Sequence, residues 1–136
     1  MPEPWKQARV LGAYYSRLAR ALLGETACPV ARTFRIAPGW LDDTKDPPQP
    51  VEPPFDASAL PADPVFSGTV SGSASDKSAL LTCVVPEGAV SAPTRVTAIG
   101  IYDQSDTLIA AASFLPEWIT PDKEFENLIH VTFPEE

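Results

Sequence analysis

Surface chemistry needs a nucleophile, a titrating base, a set of metal ligands or a cluster of one charge, and this sequence is sparing with all four. His130 is its one histidine, so any Ser-His-Asp or Cys-His arrangement would have to pass through it. It sits in the run Asn127-Leu-Ile-His-Val-Thr-Phe133 and alternates with Leu128 and Thr132. That is a strand pattern, in which a hydrogen-bonded or surface histidine is the expected outcome. Asp42, Asp43 and Asp46 form one acidic cluster, and Asp103 with Asp106 a second. Neither has the D-x-D-x-D-G spacing with a distant glutamate that encloses calcium, so both are expected as solvated turn carboxylates. Cys28 and Cys83 lie far apart without a C-x-x-C pattern. A bridge between them would need an oxidising compartment, and small buried thiols are the expected state of both. Phosphate-binding glycine loops, zinc spacings and nucleophile elbows are missing from the sequence. A non-enzymatic protein without cofactor or metal is expected.

Composition narrows the class of partner. With 136 residues, 44% of them apolar, the chain has room for one domain and a core that requires no metal or disulfide. The formal net charge of −8 opposes nucleic-acid binding, which needs clustered Lys and Arg at the phosphates. Trp5, Trp40 and Trp118 each stand beside proline, glycine or the end of an element, positions where an indole covers an edge or anchors an interface.

The elements that must position these residues are organised around a hairpin. Thr94-Arg-Val-Thr-Ala-Ile-Gly-Ile-Tyr-Asp103 and Thr107-Leu-Ile-Ala-Ala-Ala-Ser-Phe-Leu115 flank the polar segment Gln104-Ser-Asp106, which reads as two strands and a turn. Both strands are apolar on both sides, so each face of the hairpin must be covered. Gly100, mid-strand, calls for a bulge or the close approach of another element.

Ahead of the hairpin, Lys6 to Leu23 carries Val10, Leu11, Tyr14, Tyr15, Leu18, Ala19, Leu22 and Leu23 at three- and four-residue intervals. This predicts an amphipathic helix stopped by Gly24. A secretory or lipoprotein leader ending at Cys28 is the competing reading. Arg17 and Arg20 break the apolar core that a leader needs, and Glu25 stands where a small residue is wanted. No stretch approaches the length of a membrane span, and a soluble protein made in the cytoplasm is expected. Strands are predicted at Pro29–Ala37, Val65–Ser75, Ser78–Val85 and Asn127–Phe133. Between the first two lies residues 42–64, crowded with seven of the sixteen prolines and unable to form a helix or a ladder. It is expected either as a solvated loop or as an arm that crosses a neighbouring subunit with Val51, Phe55 and Leu60 as its anchors. As an arm, it should be separable from the fold.

The hairpin and its continuation resemble a known family. Thr97-Ala-Ile-Gly-Ile-Tyr-Asp103, the acidic turn, Thr107-Leu-Ile-Ala110 and Ser113-Phe-Leu-Pro-Glu-Trp-Ile-Thr-Pro121 are similar to the E-I-G-L-Y-D, L-I-A, P-E and Y-K-P segments of the phage tail-collar fibre family, the N-terminal baseplate-attachment domain of phage tail fibres. Thr82-Cys-Val-Val-Pro-Glu87 resembles the V-x-A-x-I-P pattern of the same family. The resemblance covers about a quarter of the chain closely, and fold similarity alone would not carry function. It implies a virion protein of the tail, made in the bacterial host, with phage baseplate and tail fibre proteins as partners and a homotrimer as its assembly. It also makes Trp118, in Pro116-Glu-Trp-Ile-Thr-Pro121, the preferred interface residue. Because Pro134-Glu-Glu ends the sequence given, no receptor-binding tip is expected on this chain.

The expected fold is α+β: a single domain over residues 1–136 in which the N-terminal helix packs on a largely antiparallel sheet or sandwich of about five or six strands, with the proline-rich arm as an excursion. The expected function is that of an adaptor seating fibre or spike proteins on a phage tail. The alternative is a stand-alone carbohydrate- or receptor-binding β-domain, in which Tyr14, Tyr102 and Trp118 would make a sugar-stacking face.

Overall fold

A computed structural model describes residues 6–75 and 78–132. In chain order the elements are β1 (Lys6–Val10), α1 (Gly12–Leu22), β2 (Thr33–Ala37), β3 (Leu41–Asp42), β4 (Gln49–Pro50), β5 (Phe66–Ser75), β6 (Ser78–Val85), β7 (Thr94–Tyr102), β8 (Leu108–Ile119) and β9 (Phe125–Thr132). Seven of the strands close into a barrel in the order β1-β8-β7-β2-β5-β6-β9. The expected α+β fold, a helix packed on an open sheet or sandwich, is therefore incorrect. The molecule is a β-barrel carrying one short helix among the described residues, and that helix buries none of its side chains completely.

Closure of the barrel explains the error. A ring of seven strands cannot alternate direction all the way round, so one neighbouring pair has to run parallel. Here that pair is the first and last strand, β1 with β9, in the register Lys6↔Ile129, Gln7↔His130 and Ala8↔Val131. Every other contact around the ring is antiparallel, and on its far side β1 meets β8 through Arg9↔Ala111 and Val10↔Ala110. The start of the predicted helix is thus drawn into a strand. Its short alternation works there, with Ala8 and Val10 buried inward and Gln7 exposed. Since every ladder partner of β1 is remote in sequence, tertiary pairing overrides a helical pattern that is only local. The helix begins after Leu11, whose extended backbone forms its N-cap. It ends at the predicted place, where Gly24 takes φ +78° and donates to the Ala21 carbonyl, a left-handed stop open to glycine.

The other predicted strands form, except that β2 begins at Thr33 rather than Pro29, while Phe133 lies outside the described residues. Inward residues alternate along them, with Phe34 and Ile36 from β2, Leu81, Cys83 and Val85 from β6, and Ile129 and Val131 from β9. Ile99, Ile101, Ile109 and Ala112 of the hairpin complete this core. The hairpin is the most buried part of the molecule, with every residue from Val96 to Asp103 inaccessible or nearly so. Strand β8 runs past the predicted end to Ile119. Between Val96↔Glu117 and Ala98↔Ser113 the register slips. Pro116 lies in the slip and has no N–H to give the ladder, which is where a bulge belongs.

The outer face of the hairpin is covered by residues 40–64. A second apolar cluster, Leu11, Tyr102, Leu108 and Ala111, is packed over by Trp40 and Ala57. Gly100 admits this cover: a Cβ there would lie 2.7 Å from Leu108 Cδ1 and 3.0 Å from Leu60 Cδ2. At the start of the segment Gly39 has φ +126° and no room for a methyl against Pro61. Its N–H donates to the buried Thr97 hydroxyl at 2.7 Å, and that hydroxyl donates back to the Gly39 carbonyl at 2.6 Å. The proline-rich segment is consequently a strap on its own barrel, and, against expectation, it does enter a short ladder, with Gln49 and Pro50 of β4 opposite Asp42 and Leu41 of β3. Its stiff backbone loses little entropy on docking, which suits it to that task as well as it would suit an arm.

Candidate functional site

Four charged residues, Arg17, Arg35, Asp103 and Asp106, surround the β7–β8 turn. Asp103 is fully buried. Its Oδ1 accepts from the backbone N–H groups of Ser105 at 2.9 Å and Thr107 at 3.0 Å, the side-chain-to-backbone pattern that closes an Asx turn. Its Oδ2 lies 2.8 Å from Arg17 Nε of α1, and a second Arg17 nitrogen donates to Ser105 Oγ at 2.9 Å. The helix is thereby pinned to the turn. Across the turn Arg35 of β2 meets Asp106 at 2.6 Å and lays its guanidinium over the Tyr102 ring, 4.0 Å from the centroid. The Asp106 hydrogen bond, ahead of the other contributions, raises the Arg35 pKa above its ordinary value. The expectation of two solvated carboxylates is corrected for Asp103, which is buried and ion-paired. Asp106 remains largely exposed.

The other acidic cluster is a turn. Asp42 accepts from both the N–H and the hydroxyl of Thr44, which hold its carboxyl below the usual range, while Asp43 lies 3.7 Å from Arg95. Among the described residues no three His, Cys, Asp or Glu side chains are grouped to hold a metal ion. His130 Nδ1 lies 3.0 Å from Gln7 Oε1, as a hydrogen-bonded strand histidine should.

The cysteines divide. Both are free thiols, but Cys28 is exposed and Cys83 buried, so burial holds for only one of them. Desolvation pushes the Cys83 pKa up to about 12, which keeps it a thiol through neutral and mildly alkaline solution, whereas the reactive species is the thiolate. Native protein at about pH 8 should therefore react with a thiol reagent once per chain, at Cys28, and twice after unfolding. Equal rates for two thiols in the native state would contradict the placement of Cys83.

Of the four interface candidates, three belong to the strap, where the side chains of Val51 and Phe55 are exposed and their backbone groups bond to the rest of the molecule. Val51 donates its N–H to the Trp40 carbonyl at 2.8 Å and accepts from Ser113 Oγ at 2.7 Å. Phe55 stacks on Tyr15, 6.1 Å between centroids, lies under the Arg9 guanidinium, and accepts from the Gly12 N–H at 2.9 Å. Leu60 is half-buried against Gly100. Each nevertheless keeps part of its surface open. Trp118 is separate from them, 57% exposed on β8 and paired across the ladder with Arg95. Leu115, also on β8, is similarly exposed. Trp40 caps the outer cluster, and Trp5 lies outside the described residues. Tyr14 and Tyr102 do not join Trp118 in a common aromatic face, because Tyr102 is buried beneath Arg35 and Tyr14 packs against the core.

A further apolar surface lies where the sequence pattern placed buried helix residues. Leu22 and Leu23 are 85% and 75% exposed, and Leu18 and Val30 are also open. Together with Tyr15, Ala19, Ala21 and Cys28 the leucines of α1 border an apolar groove. The three- and four-residue spacing was the signal that could have found it, but a stripe of this kind reports apolar character and not which part of it is covered. Here α1 is held through Tyr14, Tyr15 and Arg17, and its second half is largely exposed.

No protein-family model matches the chain, and neither a curated protein nor a solved structure is similar to it at a significant level.

Proposed function

We propose that the chain is a structural, non-enzymatic component of a phage tail or baseplate, an adaptor that attaches tail fibre or spike proteins to the tail. The observation that carries this reading is the likeness of Thr97–Pro121 to the tail-collar fibre segment. Those residues form the central hairpin, its pinned acidic turn and the extension of β8 that bears Leu115 and Trp118. A rigid hairpin ending in exposed apolar side chains suits a part whose work is to be held by neighbours, since interface energy concentrates in a few aromatic and aliphatic anchors. Trp118 would be one anchor. The open leucines at the end of α1 would be a second set, facing another subunit or another tail protein. A trimer is the assembly implied by the resemblance, and the charge of −8 directs recognition toward protein rather than nucleic acid.

Quantitative mass spectrometry of purified tails tests the proposal. The chain should be present at a fixed ratio to the tail-tube and fibre proteins, in multiples of three copies. Its absence from the particle would overturn the adaptor reading and leave the hairpin likeness as one of fold alone.

A further inference from the structure

One end of the barrel holds an apolar cavity of about 190 Å³. Ile101, Ile109 and Val131 line it from the inner barrel face, and Tyr14 of α1 with Pro29 of the loop that follows supplies the side not made by strands. The space exists because the strands place alanine there. Ala110 of β8 and Ala79 of β6 contribute only methyl groups where their neighbours Ile109 and Leu81 carry branched chains. A core is normally packed to crystal density, and a void of this size forfeits the dispersion contacts that its lining would otherwise make. The rim is accessible, since Tyr14, Ala31 and Ala79 are half-buried while the inner lining is closed to solvent.

We propose that this cavity is a binding site for one small apolar molecule, of the size of a single aromatic ring or a short branched hydrocarbon. Volume sets the upper size: a cavity of about 150 Å³ in an otherwise packed core admits benzene, and this one is somewhat larger. Lining chemistry sets the class. Tyr14 is the one lining side chain with a polar group, and none is charged, so a charged ligand would lose its hydration without compensation. An apolar ligand restores the missing contacts and stabilises the native state by mass action. The inference is independent of the adaptor reading and stands or falls without it.

Benzene is the probe, titrated into the intact chain and followed by methyl chemical shifts and by thermal melting. Saturable shifts at the Ile101, Ile109 and Val131 methyls, with a melting temperature that rises with benzene, are expected. Ala110→Leu fills the space and should weaken binding by roughly tenfold or more; if that variant does not fold, Ala79→Leu at the half-buried rim repeats the test. Three results would overturn the proposal: no saturable shift, shifts confined to Leu18 and Leu22 on the open groove, or undiminished binding in a folded filling variant.

Discussion

A chain lacking residues 47–61 is expected to lose its cooperative thermal transition. The deletion removes Ala57 and Leu60 from the outer face of the hairpin and exposes Tyr102, Leu108, Leu11 and Ala111. It also takes away the Phe55 carbonyl that accepts the first helical N–H, at Gly12, and the Pro53 carbonyl that accepts from Arg9. Burying one large apolar side chain stabilises a fold by about 1.5–3 kcal/mol, and a domain holds about 5–15 kcal/mol in total. Uncovering several together exhausts most of that margin. Far-ultraviolet circular dichroism on heating, with dye binding as a second probe, reads the result. A deleted chain that still melts in one sharp step near the parent temperature would show that the strap is dispensable, as an arm for a neighbour would be. Phe55→Ala should cost much less, because that ring is already about half exposed.

The second large effect is expected at the turn. Asp103→Ala should destabilise the protein by about 3–5 kcal/mol, the range for breaking a buried charged pair, since it removes two backbone hydrogen bonds and leaves Arg17 without its carboxylate. Arg17→Ala should cost less, about 1.5–3 kcal/mol, because a quarter of the Arg17 side chain already reaches solvent and the two N–H groups still satisfy one oxygen of Asp103. Urea denaturation of the two variants and of the double variant measures the coupling. The double variant should cost less than the sum of the singles. Strict additivity would mean that the 2.8 Å approach of Arg17 to Asp103 contributes no coupling energy.

Both effects arise from residues whose roles were only half visible in the chain. The hairpin was legible because two-sided apolar strands around a polar turn can be read from adjacent residues, and of the two readings left open at Gly100, a bulge or a close approach, the packing of Leu108 and Leu60 over it supports the second. Strands β2, β5, β6 and β9 were legible for the same reason: period-two alternation is a local signal. The identity of what covers the hairpin was not. Proline content announces a stiff, extended segment, yet it does not say whether the surface beneath belongs to the same chain or to another, and here Gly39, Thr97 and Pro61 lock it to its own barrel. The burial of Asp103 was hidden likewise, because a turn aspartate is ordinarily solvated and its partner Arg17 is supplied by a remote helix.

Residue order alone indicated an acidic domain with a central hairpin, four further strands, a helix stopped at Gly24 and a stiff proline segment, but it began the helix at Lys6 and arranged the whole as α+β. Three-dimensional closure established the rest. Whether Lys6–Val10 is helix or strand depends on β8 and β9 leaving a gap that it can fill, and the parallel pairing with β9 joins opposite ends of the described chain. Periodicity tells a segment which of its sides is apolar. The choice of what that side meets is made by the whole ring at once, because hydrogen-bonding edges and apolar faces must all be covered together, and that condition is not written in any one stretch of the sequence.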